Sequence, residues 1–218
     1  MVEINLLEKY PKAKRDLSQR LESKTEEDRT IARQFGKEFF DGNRNQGYGG
    51  FSYNSRFWSE VVKDFIEHYN LEKGSKIFDV GCAKGFMLYD FKQALPDLDI
   101  KGIDISKYAI ENAKEEVKEF LLVEDVRSLS KYKDNEFDLV ISINTVHNLE
   151  LEECKNAIKE IQRISKNAFI TMDAWTNDDE KERMMAWNLT AKTMMSVNDW
   201  VKLFEEIGYT KDYYWFIP

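Results

Sequence analysis

Apolar residues along this chain follow two alternating rhythms. Short, nearly continuous apolar runs appear in KIFDV (76–80), DIKGIDIS (99–106), LLVEDVRSL (121–129), EFDLVISINTVHNL (136–149) and NAFITMDAW (167–175). Such runs read as buried strands. Between them the spacing becomes helical: SEVVKDFIEHYN (59–70), FMLYDFKQALP (86–96), the stretch from Ser106 to Phe120, and LEECKNAIKEIQRIS (151–165). Strands alternating with helices predict a mostly parallel sheet covered on both faces. Residues 176–218 add an acidic helix start with a Met and Trp cluster (176–196), a helix through Ile207 with Gly208 as its C-cap, and a terminal aromatic strand.

The run at 76–80 passes straight into Gly81, Ala83 and Gly85 at alternate positions. A small-residue turn after a strand lets an extended ligand lie against bare backbone at the strand's carboxyl end, where open α/β sheets bind ligands. The phosphate-cradling pattern G-x-x-x-x-G-K-[ST] is not met, because no Gly-Lys-Ser/Thr follows Lys84. The dinucleotide fingerprint laid from Gly81 puts Phe86 where a small residue belongs. What fits is [D/E]-x-G-x-[G/A]-x-G, through Asp79, Gly81, Ala83 and Gly85.

This pattern resembles the first motif of the class I S-adenosylmethionine-dependent methyltransferases, with Ala83 in the middle glycine's place. Later stations follow in order. Asp104, beside Ile105, lies 25 residues after Asp79 at the end of a short strand, the interval at which Rossmann-like folds place a ribose-binding carboxylate. Asp125 and Val126 follow the third run, and Asn144, Thr145, His147 and Asn148 end the fourth. The resemblance covers residues 70–175. It implies an α/β, Rossmann-like, doubly wound and mostly parallel sheet flanked by helices, with S-adenosylmethionine as cofactor. It also implies that Asp125 accepts from the adenine amino group, that Val126 supplies backbone, and that Asn144 and its neighbours touch cofactor and substrate. Each station has a local reading as well: Asp79 caps the turn, Asp104 precedes a helix N-terminus, and His147 is a satisfied structural histidine.

Residues 1–40 are charged and helix-compatible, with Thr25 as an N-cap before acidic residues. Residues 39–58 combine glycines with Tyr48, Phe51, Tyr53, Phe57 and Trp58. Flexible backbone and large rings suit a lid that excludes water. The expected division is an N-terminal helical and aromatic arm, 1–58, packing over the cofactor site, and a methyltransferase domain, 59–218.

Charge narrows the acceptor. Thirty-two basic against 40 acidic residues leave a net charge of −8, the wrong sign for affinity built on phosphate neutralisation, so no nucleic-acid partner is expected. No run of about 18 apolar residues marks a membrane span, and no signal-peptide core opens the chain, so a cytoplasmic protein is expected. Cys82 and Cys154 are too far apart in sequence for a metal motif and form no disulfide framework. At 218 residues, one domain with a modest addition is expected.

The expected reaction is O-methylation of a small polar metabolite, such as a sugar or sugar-nucleotide. A hydroxyl acceptor needs a base, and His147 is the candidate at a strand end. Asp173, ending the fifth strand, would orient that histidine, accept the proton, or join Asn144 and His147 around a divalent cation, although no diagnostic metal spacing is present. Tyr48, Tyr53 and Arg56 of the arm would grip the acceptor. Two other classes stay open: a noncatalytic cofactor-binding regulatory protein and a nicotinamide-dependent oxidoreductase.

Overall fold

The structure is a computed structural model that describes residues 1–11 and 24–218. In chain order its elements are strand β1 (Val2–Glu3), helices α1 (Glu26–Ala32), α2 (Lys37–Asp41) and α3 (Val61–His68), β2 (Lys76–Val80), α4 (Phe86–Ala94), β3 (Asp99–Asp104), α5 (Lys107–Glu111) and β4 (Leu121–Val123). The second half holds β5 (Phe137–Ile143), α6 (Leu151–Ile164), β6 (Ser165–Trp175), α7 (Asp178–Trp187), β7 (Met195–Ser196), α8 (Val197–Ile207) and β8 (Asp212–Phe216). Short 3-10 turns at Lys118–Phe120, Val126–Lys131 and Val146–Asn148 join them.

The strands lie in the order β1-β8-β6-β5-β2-β3-β4, with β7 paired to β6. Every described strand pair is parallel. From central β2 the chain steps outward through β3 to β4, then crosses to β5 on the other side of β2. That reversal opens a crevice between the carboxyl ends of β2 and β5, the switch point where such sheets bind ligands.

Two apolar layers hold the sheet. Phe78 and Val80 of β2 and Val140 of β5 face Cys154, Ile158 and Ile161 of α6 and Trp200 and Phe204 of α8. Ile77, Leu139 and Ile141 face the other way, onto Phe65 of α3 and Leu88 and Phe91 of α4. Alternation along each strand sends successive side chains to opposite layers, so both faces must be apolar and the runs read as continuous. Ends follow local chemistry: Thr25 makes a reciprocal capping box with Asp28, and Gly208 takes the left-handed conformation (φ 71°) that ends α8.

Two expectations are corrected. The helix expected from Ser106 to Phe120 is only the five residues of α5. After Asn112 the chain turns so that the Lys114 N–H donates to the Lys84 carbonyl (3.0 Å) and Val117 is buried. Residues 1–11 do not pack over the crevice but extend the sheet at β8. Val2 and Glu3 pair with Asp212 and Tyr213, Leu6 is buried with Val61 and Phe65, and Tyr10 packs on Phe57 and Trp58. An extended apolar-polar segment beside an open edge strand gains backbone hydrogen bonds there that a lid position would not give. Residues 12–23 of the expected arm lie outside the described residues. The arm proper is therefore an excursion, described over 24–58, from a domain that begins at β1. Among the described residues no helix is long and apolar enough to cross a membrane.

Candidate functional site

The β2 turn is held by its neighbours on both sides. Gly81 sits at φ +90°, and a Cβ there would lie 2.1 Å from Thr145 Oγ1, so the end of β5 closes directly against the turn. The Gly81 and Cys82 N–H groups both donate to the Ile103 carbonyl, at 2.8 and 2.9 Å. These donors are not bare, as the sequence suggested: the adjacent end of β3 satisfies them. Ala83, also left-handed at φ 50°, donates its N–H to Asp104 Oδ2 at 2.8 Å. Ser106 donates its N–H to Asp104 Oδ1, also at 2.8 Å.

Asp104 thus braces the turn from its place ahead of α5, a role the sequence did not suggest for it, while each carboxylate oxygen keeps a further acceptor site. Beside it Ile105 is 53% exposed, an apolar surface left open at the sheet's carboxyl end. Asp79 is 6% exposed, and no group among the described residues donates a hydrogen bond to its carboxylate. Burial and then the neighbouring Asp104 push its carboxyl up to about 7. Burial raises Asp104 as well, against the pull of its two backbone donors. The Cys82 thiol is driven up by burial and by both acids, which leaves it unreactive.

Asp125 is engaged elsewhere. Its carboxylate accepts the Arg127 N–H at 2.8 Å and the Arg127 guanidinium through Nε and Nη2, and Arg127 also reaches Glu153. Arg127 holds the Asp125 carboxyl below the usual range. Val126 opens the 3-10 turn, where its N–H has no acceptor within the helix.

On the β5–β6 side the polar residues mostly bind one another. Asn144, left-handed at φ 51°, donates its N–H to the Thr171 carbonyl and hydroxyl, and Thr171 Oγ1 donates back to Asn144 Oδ1 at 2.8 Å. Asn148 donates to the Asn144 carbonyl, while its own Oδ1 is buried without a donor among the described residues. The sequence placed Asn148 at this strand end beside Asn144 and His147, but gave no role to its amide oxygen.

His147 is 2% exposed, and its Nδ1 accepts the Asp173 backbone N–H at 3.1 Å. The neutral ring must then carry its proton on Nε2, 3.9 Å from Asp173 Oδ2. Burial lowers its pKa, and Asp173 only partly opposes this. Asp173 in turn accepts from Asn188 Nδ2 through Oδ2 and from Trp200 Nε1 through its carbonyl. The pair is built into the core, with the histidine's lone pair already used, which opposes the base role expected for it. No cluster of three or more His, Cys, Asp or Glu suited to a metal occurs among the described residues.

The arm residues do not converge on one acceptor. Tyr53 packs on Phe86 and Tyr89 and donates its hydroxyl to Asp90 Oδ1 at 2.6 Å. Tyr48 is half exposed on an aromatic group with Phe39, Phe40 and Phe51. Arg56 is exposed over the Phe57 ring, which lies against Tyr10 rather than the crevice. Sequence reasoning passed over Lys84, the charged residue inside the glycine turn. Its ammonium is buried and donates to Asp41 Oδ2 (2.7 Å) and the Phe51 carbonyl (2.8 Å) of the arm.

Residues 71–215 match the methyltransferase domain family. The chain belongs to that family. It is a class I methyltransferase domain, and S-adenosylmethionine is the family's cofactor. Phosphoethanolamine N-methyltransferase 3 of Arabidopsis thaliana is 32% identical over 102 residues, which are 42% of this chain and 19% of that protein. The match thus spans about a fifth of the curated relatives' length. Among solved structures, phosphoethanolamine N-methyltransferase 2 of Haemonchus contortus, in complex with phosphomonomethylethanolamine and S-adenosylhomocysteine, aligns with a TM-score of 0.58 at 16% identity, over 81% of this chain and 44% of that one. An S-adenosylmethionine-dependent methyltransferase from Archaeoglobus fulgidus aligns at 0.52 and 18% identity, over 71% of each chain. At these identities the structural likeness speaks for the fold.

Proposed function

We propose that this methyltransferase domain methylates a small polar acceptor beneath the arm, and that the nucleophile is an amine rather than the sugar hydroxyl the sequence suggested. The observation that carries this reading is the engaged Nδ1 of His147. A hydroxyl must lose its proton at or before attack, whereas a neutral amine attacks with its own lone pair and sheds a proton to water afterwards. With the strand-end histidine committed to the core, the amine asks less of the residues present. The Arabidopsis relatives, named as phosphoethanolamine N-methyltransferases, favour the same choice.

The cofactor half fits its ligand chemically. S-adenosylmethionine supplies an electrophilic methyl group on a positively charged sulfur. Asp104 has acceptor sites left for ribose hydroxyls, and exposed Ile105 offers a surface to an adenine ring. The carboxylate of Asp79, without a donor among the described residues, suits a cation, and Gly81, Ala83, Gly85, Asn144 and the Val126 N–H would complete the site. Asp125 would have to share its carboxylate with Arg127. Tyr48 and Tyr53 contribute as parts of the arm's roof.

The test is an assay with methyl-labelled S-adenosylmethionine against phosphoethanolamine, ethanolamine, a free sugar and a sugar-nucleotide. Label on nitrogen is expected, with a rate that rises with pH as the amine deprotonates. Label on sugar oxygen alone would overturn the amine. Cofactor binding without transfer to any acceptor would favour the noncatalytic reading.

A further inference from the structure

Among the described residues, Lys84 carries the one buried charge that joins the arm to the glycine turn. It is 6% exposed, and both oxygen acceptors of its ammonium, Asp41 Oδ2 and the Phe51 carbonyl, come from the arm. Asp41 gathers two more donors, the Phe51 N–H at 2.9 Å and the Tyr108 hydroxyl at 2.7 Å. Two further bonds lie nearby: Ser106 Oγ to the Phe35 carbonyl, and Tyr53 to Asp90. The arm's other end is held differently. There Lys24 donates to the carbonyls of Ala186 and Trp187, and Arg29 to those of Asn188 and Met185, which places two cations at the C-terminus of α7.

The two ends differ in what release would leave behind. Lifting the arm off the turn parts one buried ammonium from both its oxygen partners at once, and whatever part of it stays out of water is then uncompensated. Releasing Lys24 and Arg29 returns part-exposed cations to water at little cost.

We infer that Lys84 is a positioning residue that couples arm closure to the cofactor turn, so that acceptor entry opens at the α7 end while the turn end stays latched. This rests on the cofactor site proposed above. A ligand that stiffens the turn holds the arm closed, and by linkage the closed arm strengthens that ligand's binding by the same factor.

The test is hydrogen–deuterium exchange of residues 24–53, with and without S-adenosylhomocysteine, beside calorimetric titration of that nucleoside. In the wild type it should slow exchange over 36–53. The double variant Asp41→Asn/Lys84→Met, which leaves no unpaired buried charge, should exchange there at least tenfold faster. Its nucleoside affinity should fall, by at most the factor by which the nucleoside slows wild-type exchange. Arg29→Ala should loosen 24–33 while leaving exchange over 36–53 and affinity unchanged. Should the double variant fail to fold, Lys84→Met alone gives the same readout, because Asp41 is part-exposed and keeps its Phe51 and Tyr108 donors. An arm still protected without the pair, or one loosened with affinity unchanged, would overturn the coupling. Failure of the wild type to bind the nucleoside would instead overturn the cofactor site.

Discussion

On the β2–β3 side of the crevice, the polar groups sit within a few residues of a strand end and are fixed by backbone donors: Ala83 and Ser106 on Asp104, Gly81 and Cys82 on Ile103. On the β5–β6 side, His147, Asp173, Asn188 and Trp200 bind one another across as many as 27 positions of sequence. The first side reaches nearly as far in sequence, 21 positions from Ala83 to Asp104, but its residues keep spare acceptor capacity or lack a partner among the described residues. The second is a packed polar network whose capacity is mostly spent. Polar residues at a strand end therefore do not by themselves form an active site, because what matters is which lone pairs the fold leaves unused.

The sharpest break is Gly81→Ala. Its left-handed φ and the 2.1 Å approach of Thr145 should together cost about 3 kcal/mol of stability, read by denaturant unfolding. Adding Thr145→Ala should recover only part of this, since the Thr145 Cβ would still lie 2.8 Å away. A loss below about 0.5 kcal/mol would mean that the turn is not held against β5. Next comes His147→Ala, which removes the acceptor of the Asp173 N–H and should cost about 2 kcal/mol. Corrected for folded fraction, kcat should change less than threefold, whereas a drop of a hundredfold or more at unchanged stability would restore the histidine as a base.

Asp79 sharpens the contrast through pH. Its folded pKa, about 7, lies above the ordinary 3.8, so the folded chain holds this proton more tightly than the unfolded chain does. Its contribution to stability is fully present below about pH 4 and is lost as pH rises through about 7. Asp79→Asn should therefore stabilise the ligand-free protein at pH 8 and flatten the pH profile, seen by thermal melting across buffers. A steeper profile would contradict its burial. Arg56→Ala should be the smallest change, within about 0.5 kcal/mol in stability and twofold in acceptor KM, because the side chain is exposed and lies over Phe57.

The same division explains what could be read from the residues alone. The alternating strands and helices, the glycine turn, Thr25 as a cap and Gly208 as a helix stop depend on neighbours in sequence, so their spacing shows them. Residues 1–11 could not be placed that way, since nothing in MVEINLLEKY names β8 as the partner 210 positions away. Lys84 was equally hidden: a lysine in a glycine turn reads as solvated until Asp41 and Phe51 arrive from another segment. Asp125 is a different case: its place after β4 was legible, but Arg127, two residues on, occupies its carboxylate.

The proposed cofactor site on the β2–β3 side depends on Asp104. Calorimetric titration of S-adenosylmethionine into the wild type and Asp104→Ala tests it most directly, with melting curves to confirm that both are folded. The wild type should bind one equivalent, and the variant at least tenfold more weakly, about 1.4 kcal/mol or more. Equal affinity in the two proteins, or binding of NAD in place of S-adenosylmethionine, would contradict it.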